Sequence, residues 1–239
     1  MIFAPSVYND SFEDNMLAEF FSNQSNGYYV DVGGNLPENS ISKQFYDLGW
    51  DGLVVEPIPK NVEKFKSVGR NNIWQGAVTS PQEASKGTTT FYLAGGDGAH
   101  SSLDGGAISP SSLTGNTIQV ELATLNTLLD DAGVTKVDFL SIDTEGTEVD
   151  VLLGMDLEKY NVRLLLVEDW GRDFKIHRHM ASRGYKRVRR TGFNSWYVPH
   201  SDNSIPVSFF GRLQFFRKFV LSMPGKNFRQ WRHKRKYKA

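Results

Sequence analysis

The sequence predicts an α/β chain: a mostly parallel seven-stranded sheet with helices on both faces, plus a basic C-terminal extension. Two observations predict it. Short apolar runs alternate with amphipathic stretches of about ten residues, the rhythm of βαβ units and a parallel sheet. The charge is also divided along the chain. Its 27 Lys and Arg balance 27 Asp and Glu, yet residues 1–160 hold 23 acids and 8 bases, while 161–239 hold 4 acids and 19 bases. No acid follows Asp202.

The elements follow in order. Residues 10–22 carry Phe12, Met16, Leu17, Phe20 and Phe21 at helical spacing, so 1–26 reads as an N-terminal helical segment. YYVDV at 28–32 is a strand that ends in Gly33-Gly34-Asn35. A helix fits 40–48, a strand 52–57 stops at Pro57, a helix fits 60–68, and 72–78 reads as a third strand. Residues 79–117 break the rhythm. They are rich in Gly, Ser and Thr, with a strand at 88–94, and read as a lid or substrate loop. A strand at 118–123, a helix at 124–131, a strand at 137–143, a helix at 148–153 and a strand at 163–168 resume it. A helix at 174–183 and a hairpin of 186–190 with 195–199 complete a domain over 27–200. The remainder, 201–239, reads as a basic amphipathic tail.

Composition excludes several classes. There is no cysteine, so disulfide frameworks, thiolate metal sites and cysteine nucleophiles are out. The first residues lack a basic stretch followed by an apolar run, and no run approaches the roughly 18–20 apolar residues that span a bilayer. The expected location is cytoplasmic, peripheral at the inner face of the membrane if the tail binds there.

In an open α/β sheet, ligands bind beyond the carboxyl ends of the strands. Those ends carry Asp31, Gly33, Gly34 and Asn35, then Glu56 and Pro57, Gly76 and Ala77, Asp143, Glu145 and Gly146, and last Glu168, Asp169 and Trp170. Carboxylates clustered on one edge are costly unless they bind something. Gly33 and Gly34 permit close backbone approach. Glu56, about 20 residues on, suits two ribose hydroxyls. There is no G-x-G-x-x-G, and Glu38 would repel a pyrophosphate at the helix start. The pattern therefore favours a nucleoside without phosphates, S-adenosylmethionine, with Asp31 near its ammonium.

DVGGN at 31–35 with Ser40, VVEPIPKN at 54–61, AV at 77–78, SSL at 101–103, ELATLNTLL at 121–129, VDFLSIDTEGTE at 137–148, VLLG at 151–154 and LLLVE at 164–168 together resemble the FkbM-type methyltransferase family. The resemblance covers about residues 27–170. D-x-E-G-x-E at Asp143, Glu145, Gly146 and Glu148 is its most specific part. It implies a Rossmann-like methyltransferase fold, S-adenosylmethionine as donor, and O-methylation of hydroxyls on sugars or glycan-like natural products. Pro37 stands where the family usually has Gly, and Ser141 where it often has Lys.

Methyl transfer to a hydroxyl needs alignment and removal of a proton. Asp143, at the centre of the sheet edge, is the first candidate base, with its alternative reading a helix N-cap. Glu145 is a further catalytic candidate; it and Glu148 lie three apart at that helix start, where one of them complements the helix dipole. His100, in the lid, is the second base candidate. The cofactor set is Asp31, Gly33, Gly34, Asn35, Ser40, Glu56, Pro57, Ala77 and Asp143. Ser101, Ser102, Glu168, Trp170 and Arg172 are the substrate set, with Trp170 and Arg172 as a sugar platform. A divalent cation such as Mg²⁺ on Asp143, Glu168 and Asp169 is the metal variant, by fold-level analogy.

The tail has three readings. Phe209, Phe210, Leu213, Phe216 and Val220 share one helical face, followed by bases interleaved with Phe228, Trp231 and Tyr237. That face packs on the protein's own body or a second subunit, lies on an anionic membrane through 207–239, or serves a nucleic-acid arm. A nucleic-acid methyltransferase is the rival enzyme reading, opposed by the acidic strand ends. A catalytically inactive interaction module is the non-enzyme one, motivated by Pro37 and Ser141.

Overall fold

The structure, a computed structural model, describes residues 2–96, 98–109 and 111–236. In chain order the strands are β1 (Val7–Tyr8), β2 (Tyr28–Val32), β3 (Asp51–Glu56), β4 (Ile73–Gln75), β5 (Ala77–Val78), β6 (Thr88–Ala94), β7 (Leu113–Ala123), β8 (Phe139–Ile142), β9 (Leu164–Glu168), β10 (Tyr185–Thr191) and β11 (Asn194–Pro199). The helices are α1 (Glu13–Phe20), α2 (Lys43–Asp47), α3 (Pro59–Ser67), α4 (Pro81–Ala84), α5 (Leu125–Asp131), α6 (Glu148–Leu153), α7 (Lys175–Ser182), α8 (Phe209–Phe216) and α9 (Met223–Lys236). The chain forms two compact units, Asp14–Val167, and Met1–Glu13 with Glu168–Ala239.

In the first unit, strands β9-β8-β2-β3-β4 lie side by side, all parallel. Their sequences are continuous apolar runs, as strands covered on both faces require. Val30, Val32, Val54, Val55, Leu140 and Ile142 are 0–1% exposed. Rings of Phe21, Phe45, Trp50 and Phe139 pack edge-on beside them, with Phe21 and Trp50 centroids 5.1 Å apart. Because β2 has β3 on one side and β8 on the other, the strand order reverses between β2 and β8. That switch point opens a crevice at the carboxyl ends of the strands.

The expected strand over 72–78 is two strands in two sheets. Gly76 separates them: a Cβ there would stand 2.4 Å from the Trp74 ring and 2.8 Å from the Glu121 carbonyl oxygen. Past it, β5 joins β7 in parallel, and β6 pairs β7 antiparallel. This small sheet buries Ala77, Phe91, Val120 and Leu122, with Ile58 and Leu103 against them. Within 79–117 the expected strand at 88–94 is β6, α4 precedes it, and the start of β7 adds a strand that was not expected. β7 starts near residue 113 rather than 118, because its polar Thr114, Asn116 and Thr117 gave no apolar alternation to read.

The second unit holds β1-β10-β11. β1 runs parallel to β10, and β10 and β11 form the expected hairpin. β1 was not expected, since two residues carry no period. The predicted single seven-stranded sheet is corrected accordingly: the strands are five parallel in one unit, three of mixed direction in the other, and three in the small sheet. The C-terminal residues are helical: α8, a π-helical stretch at Arg217–Leu221, and α9. Ser208 caps α8, its Oγ accepting from the Gly211 N–H at 2.9 Å. Gln214 Oε1 accepts from the N–H groups of Ser6 and Val7 at 2.8 and 3.2 Å, and Phe219 is 1% exposed. Tyr237, Lys238 and Ala239 lie outside the described residues. Among the described residues, no helix is long and apolar enough to cross a membrane.

Candidate functional site

A cleft of about 520 Å³, open at its mouth, lies at the carboxyl ends of β2, β3 and β8. Its lining comes entirely from the Asp14–Val167 unit. Gly33, Asn35, Glu56, Pro57, Ala77, Ser101, Asp143 and Glu145 line it, together with apolar Ile58, Phe91 and Leu103. Among the described residues its lining carries three carboxylates and no lysine or arginine.

β2 delivers Gly33 and Asn35. Gly33 adopts φ +84, and a Cβ there would stand 1.8 Å from the Asp143 carbonyl oxygen. The glycine lets the ends of β2 and β8 touch, and the Asp143 N–H donates to Val32 O at 3.0 Å. Gly34 does not line the cleft. A Cβ there would meet Val54 at 2.6 Å and Phe65 at 3.1 Å. Packing of the protein on itself requires a glycine at both positions, and Gly33 also lines the cleft.

Glu56 ends β3, 3% exposed. Its Oε2 accepts the Asn35 N–H at 2.9 Å, and its Oε1 accepts the Ile58 N–H at 2.9 Å and Asn61 Nδ2 at 3.4 Å. Burial pushes its carboxyl up to about 7, with the three donors opposing. A carboxylate offers about four acceptor positions, so one remains for a ligand hydroxyl where two had been expected. Asn61 also donates to Asn35 Oδ1 at 3.3 Å. It tethers the β2 and β3 ends, a role with no sequence signal beyond its place in the 54–61 run.

Asp143 follows β8. Its side chain meets solvent through the cleft, yet protein atoms crowd it from the other sides. That crowding raises its carboxyl to about 7, and repulsion from Glu145, Glu148 and Asp31 adds to the rise while His100 opposes it. Glu148 has a different task. Its Oε1 accepts from the N–H groups of Gly146 (2.8 Å) and Thr144 (3.2 Å) and from the Thr144 hydroxyl (3.1 Å). It staples the turn that presents Asp143 and Glu145. Glu145 holds a left-handed backbone, φ 56, next to Gly146.

The glycine-rich loop is fastened to this turn. His100 Nδ1 lies 2.6 Å from Glu145 Oε1. Ser102 Oγ donates to Glu145 O at 3.1 Å. Ser102, expected in the substrate set, is 0% exposed and held in this fastening. Ser101 reaches the cleft, while its Oγ accepts the Ala94 N–H at 2.9 Å.

Asp31 and Ser40 do not line the cleft. Asp31 is 3% exposed, and its Oδ2 accepts from Ser40 Oγ (2.6 Å) and Ser42 Oγ (2.7 Å). Arg70 donates to the same two hydroxyls at 3.1 and 2.6 Å. The result is a buried ion pair bridged by two serines. α2 starts at Lys43, with Ser42 as its N-cap, and not at Ser40 as expected. The structure places Asp31 and Ser40, expected at the cofactor, in this network and outside the cleft lining.

The remaining expected residues belong to the second unit. Glu168 ends β9 and is buried. Asp169 accepts from the Gly171 N–H (2.7 Å) and Ser195 Oγ (3.3 Å), with Arg187 Nη1 at 3.6 Å. These donors occupy the carboxylate expected to bind a metal. Trp170 packs on Phe193 with centroids 4.5 Å apart, and the Arg172 guanidinium lies 4.6 Å over its ring. The aromatic face offered as a sugar platform is covered by these neighbours.

With this geometry in hand, a comparison with protein-family models matches residues 31–187 to the methyltransferase FkbM domain. No curated protein matches the chain significantly.

Proposed function

The chain belongs to the FkbM methyltransferase family, and from that premise we propose that it transfers a methyl group from S-adenosylmethionine to a hydroxyl of a sugar or glycan-like acceptor. One observation carries the reading. Among the described residues, the cleft lining presents Glu56, Asp143 and Glu145 and no lysine or arginine. Such a lining favours a ligand bearing a sulfonium and an ammonium, and disfavours the phosphates of a dinucleotide or nucleic acid.

The residues present fit that donor. Glu56 would take a ribose hydroxyl on its remaining acceptor position. Ile58, Phe91 and Leu103 supply apolar wall for a base, and the carboxylates supply the countercharge. When bound, S-adenosylmethionine supplies a methyl group already activated for displacement. The protein's part is to align the acceptor hydroxyl and take its proton. Asp143 suits the proton transfer, because a carboxyl held near neutrality is both available as a base and strong enough to act as one. His100 reaches the same turn through Glu145 and is the second candidate.

Titration calorimetry with S-adenosylmethionine and its demethylated product tests the cofactor. Binding of either, weakened at least ten-fold by Glu56→Ala, supports it. No binding of either at about millimolar concentration overturns it. Methyl transfer from labelled donor to a panel of polyols and oligosaccharides then tests the acceptor class, and labelling of nucleic acid instead would overturn that part.

A further inference from the structure

We propose that the C-terminal helices seat the protein on an anionic lipid surface, with the outer face of α8 lying in the interface. This inference rests on the second unit alone and is independent of the cofactor and acceptor. α8 and the π-helical stretch together form a rod of about 20 Å. One side packs on its own unit. There Gly211 leaves no room for a Cβ, which would stand 2.2 Å from Ser6 Oγ. Phe219 lies under Arg187, whose guanidinium is 3.5 Å from the ring centroid.

The opposite side repeats at i, i+4, i+7 and i+11. It bears Phe209 (65% exposed), Leu213 (49%), Phe216 (51%) and Val220 (39%). Four large apolar side chains in one solvent-facing stripe are costly in water unless something covers them. The packed face already satisfies the protein's own core, so the outer stripe is left over from folding.

Charge identifies the occupant. Residues 203–239 contain ten Lys and Arg and no acid. Arg212 and Arg217 are exposed on the same rod as the apolar stripe, and Arg229 and Arg232 are exposed on α9. A second copy of this chain would set two such basic segments face to face and repel. Nucleic acid would answer the bases but not the apolar stripe. An anionic bilayer answers both, since acyl chains take the aromatic face and headgroups take the arginines. No described helix is long and apolar enough to cross a membrane, so the geometry is that of a helix lying on the surface.

The test is flotation of the full chain with phosphatidylcholine vesicles, with and without about one-third phosphatidylserine. Partition to the anionic vesicles at least ten-fold stronger, and falling with salt, is expected. Phe209→Ser/Leu213→Ser/Phe216→Ser should lower it at least ten-fold with the circular dichroism spectrum unchanged. Arg217→Glu/Arg229→Glu/Arg232→Glu should lower it by about five-fold or more per base. Quenching of Trp231 emission by brominated lipid, judged against Trp231→Phe, supplies a readout that does not depend on those variants folding. No partition, equal partition to both vesicles, or an undiminished serine variant overturns the proposal. So does a wild-type dimer that the serine variant disperses without vesicle binding, and so does preference for duplex DNA over vesicles.

Discussion

His100 Nδ1 sits 2.6 Å from Glu145 Oε1, joining the glycine-rich loop to the acidic turn after β8. The imidazole is well exposed, so this pair adds about 0–1 kcal/mol to stability. Its consequence is local. His100→Ala should leave the urea midpoint almost unchanged while amide exchange over 98–101 accelerates several-fold. Ser102→Ala removes the buried donor to Glu145 O and should cost about 1–3 kcal/mol. Unchanged exchange in both variants would mean the loop is held by something else.

Asp143 sets an expected pH dependence. A base must be ionised to act, and this carboxyl is raised to about 7 by crowding and neighbouring acids. The rate should therefore climb as pH rises through about 7 and level off above it. Asp143→Asn should lower turnover by about 10²–10⁴-fold, with cofactor affinity within a few-fold of wild type. It should also erase the limb near 7. A variant that keeps both rate and limb would move the base role to His100.

Much of the site was legible in the sequence because it lies on strand ends. Apolar runs fix where β2, β3 and β8 stop, and the residues just beyond, Asn35, Glu56, Asp143 and Glu145, meet in one cleft. Spacing alone could not show direction. Asp31 stands two residues before Gly33, yet its carboxylate turns to Ser40, Ser42 and Arg70. Arg70 was invisible as its partner, because their pairing needs the α2 and α3 ends to converge. Glu148 and Ser102 look like chemistry by composition but are consumed by loop hydrogen bonds that no linear pattern reveals. In the tail, the face read as Phe209, Phe210, Leu213, Phe216 and Val220 is exposed in the structure. Which side packs inward, that of Gly211, Phe215 and Phe219, was not legible, because phenylalanines stand on both sides of the helix.

Glu56 predicts a stability trend with pH in the free protein. Its carboxyl moves from 4.5 in the unfolded chain to about 7 in the folded one. Below 4.5 both states hold the proton and the stability is full. Between 4.5 and 7 the unfolded state sheds it first, so stability falls as pH rises, by on the order of 3 kcal/mol, and then flattens. Urea denaturation at pH 5 and pH 8 measures this. Glu56→Gln should shrink the difference by most of that amount. A wild-type difference that Gln leaves intact would assign the trend to another group.

The Arg70 network separates a structural role for Asp31 from a cofactor role. Arg70 is 3% exposed and answers the Asp31 charge through Ser40 and Ser42. Arg70→Met leaves that carboxylate buried without its countercharge, which costs about 3–5 kcal/mol. Adding Asp31→Asn removes the charge and should recover part of the loss, giving a coupling of at least about 1 kcal/mol in a double-mutant cycle. Since Asp31 does not line the cleft, Asp31→Asn alone should change S-adenosylmethionine affinity by only a few-fold, provided the variant remains folded. A coupling near zero, or a loss of affinity comparable to Glu56→Ala, would return Asp31 to the cofactor.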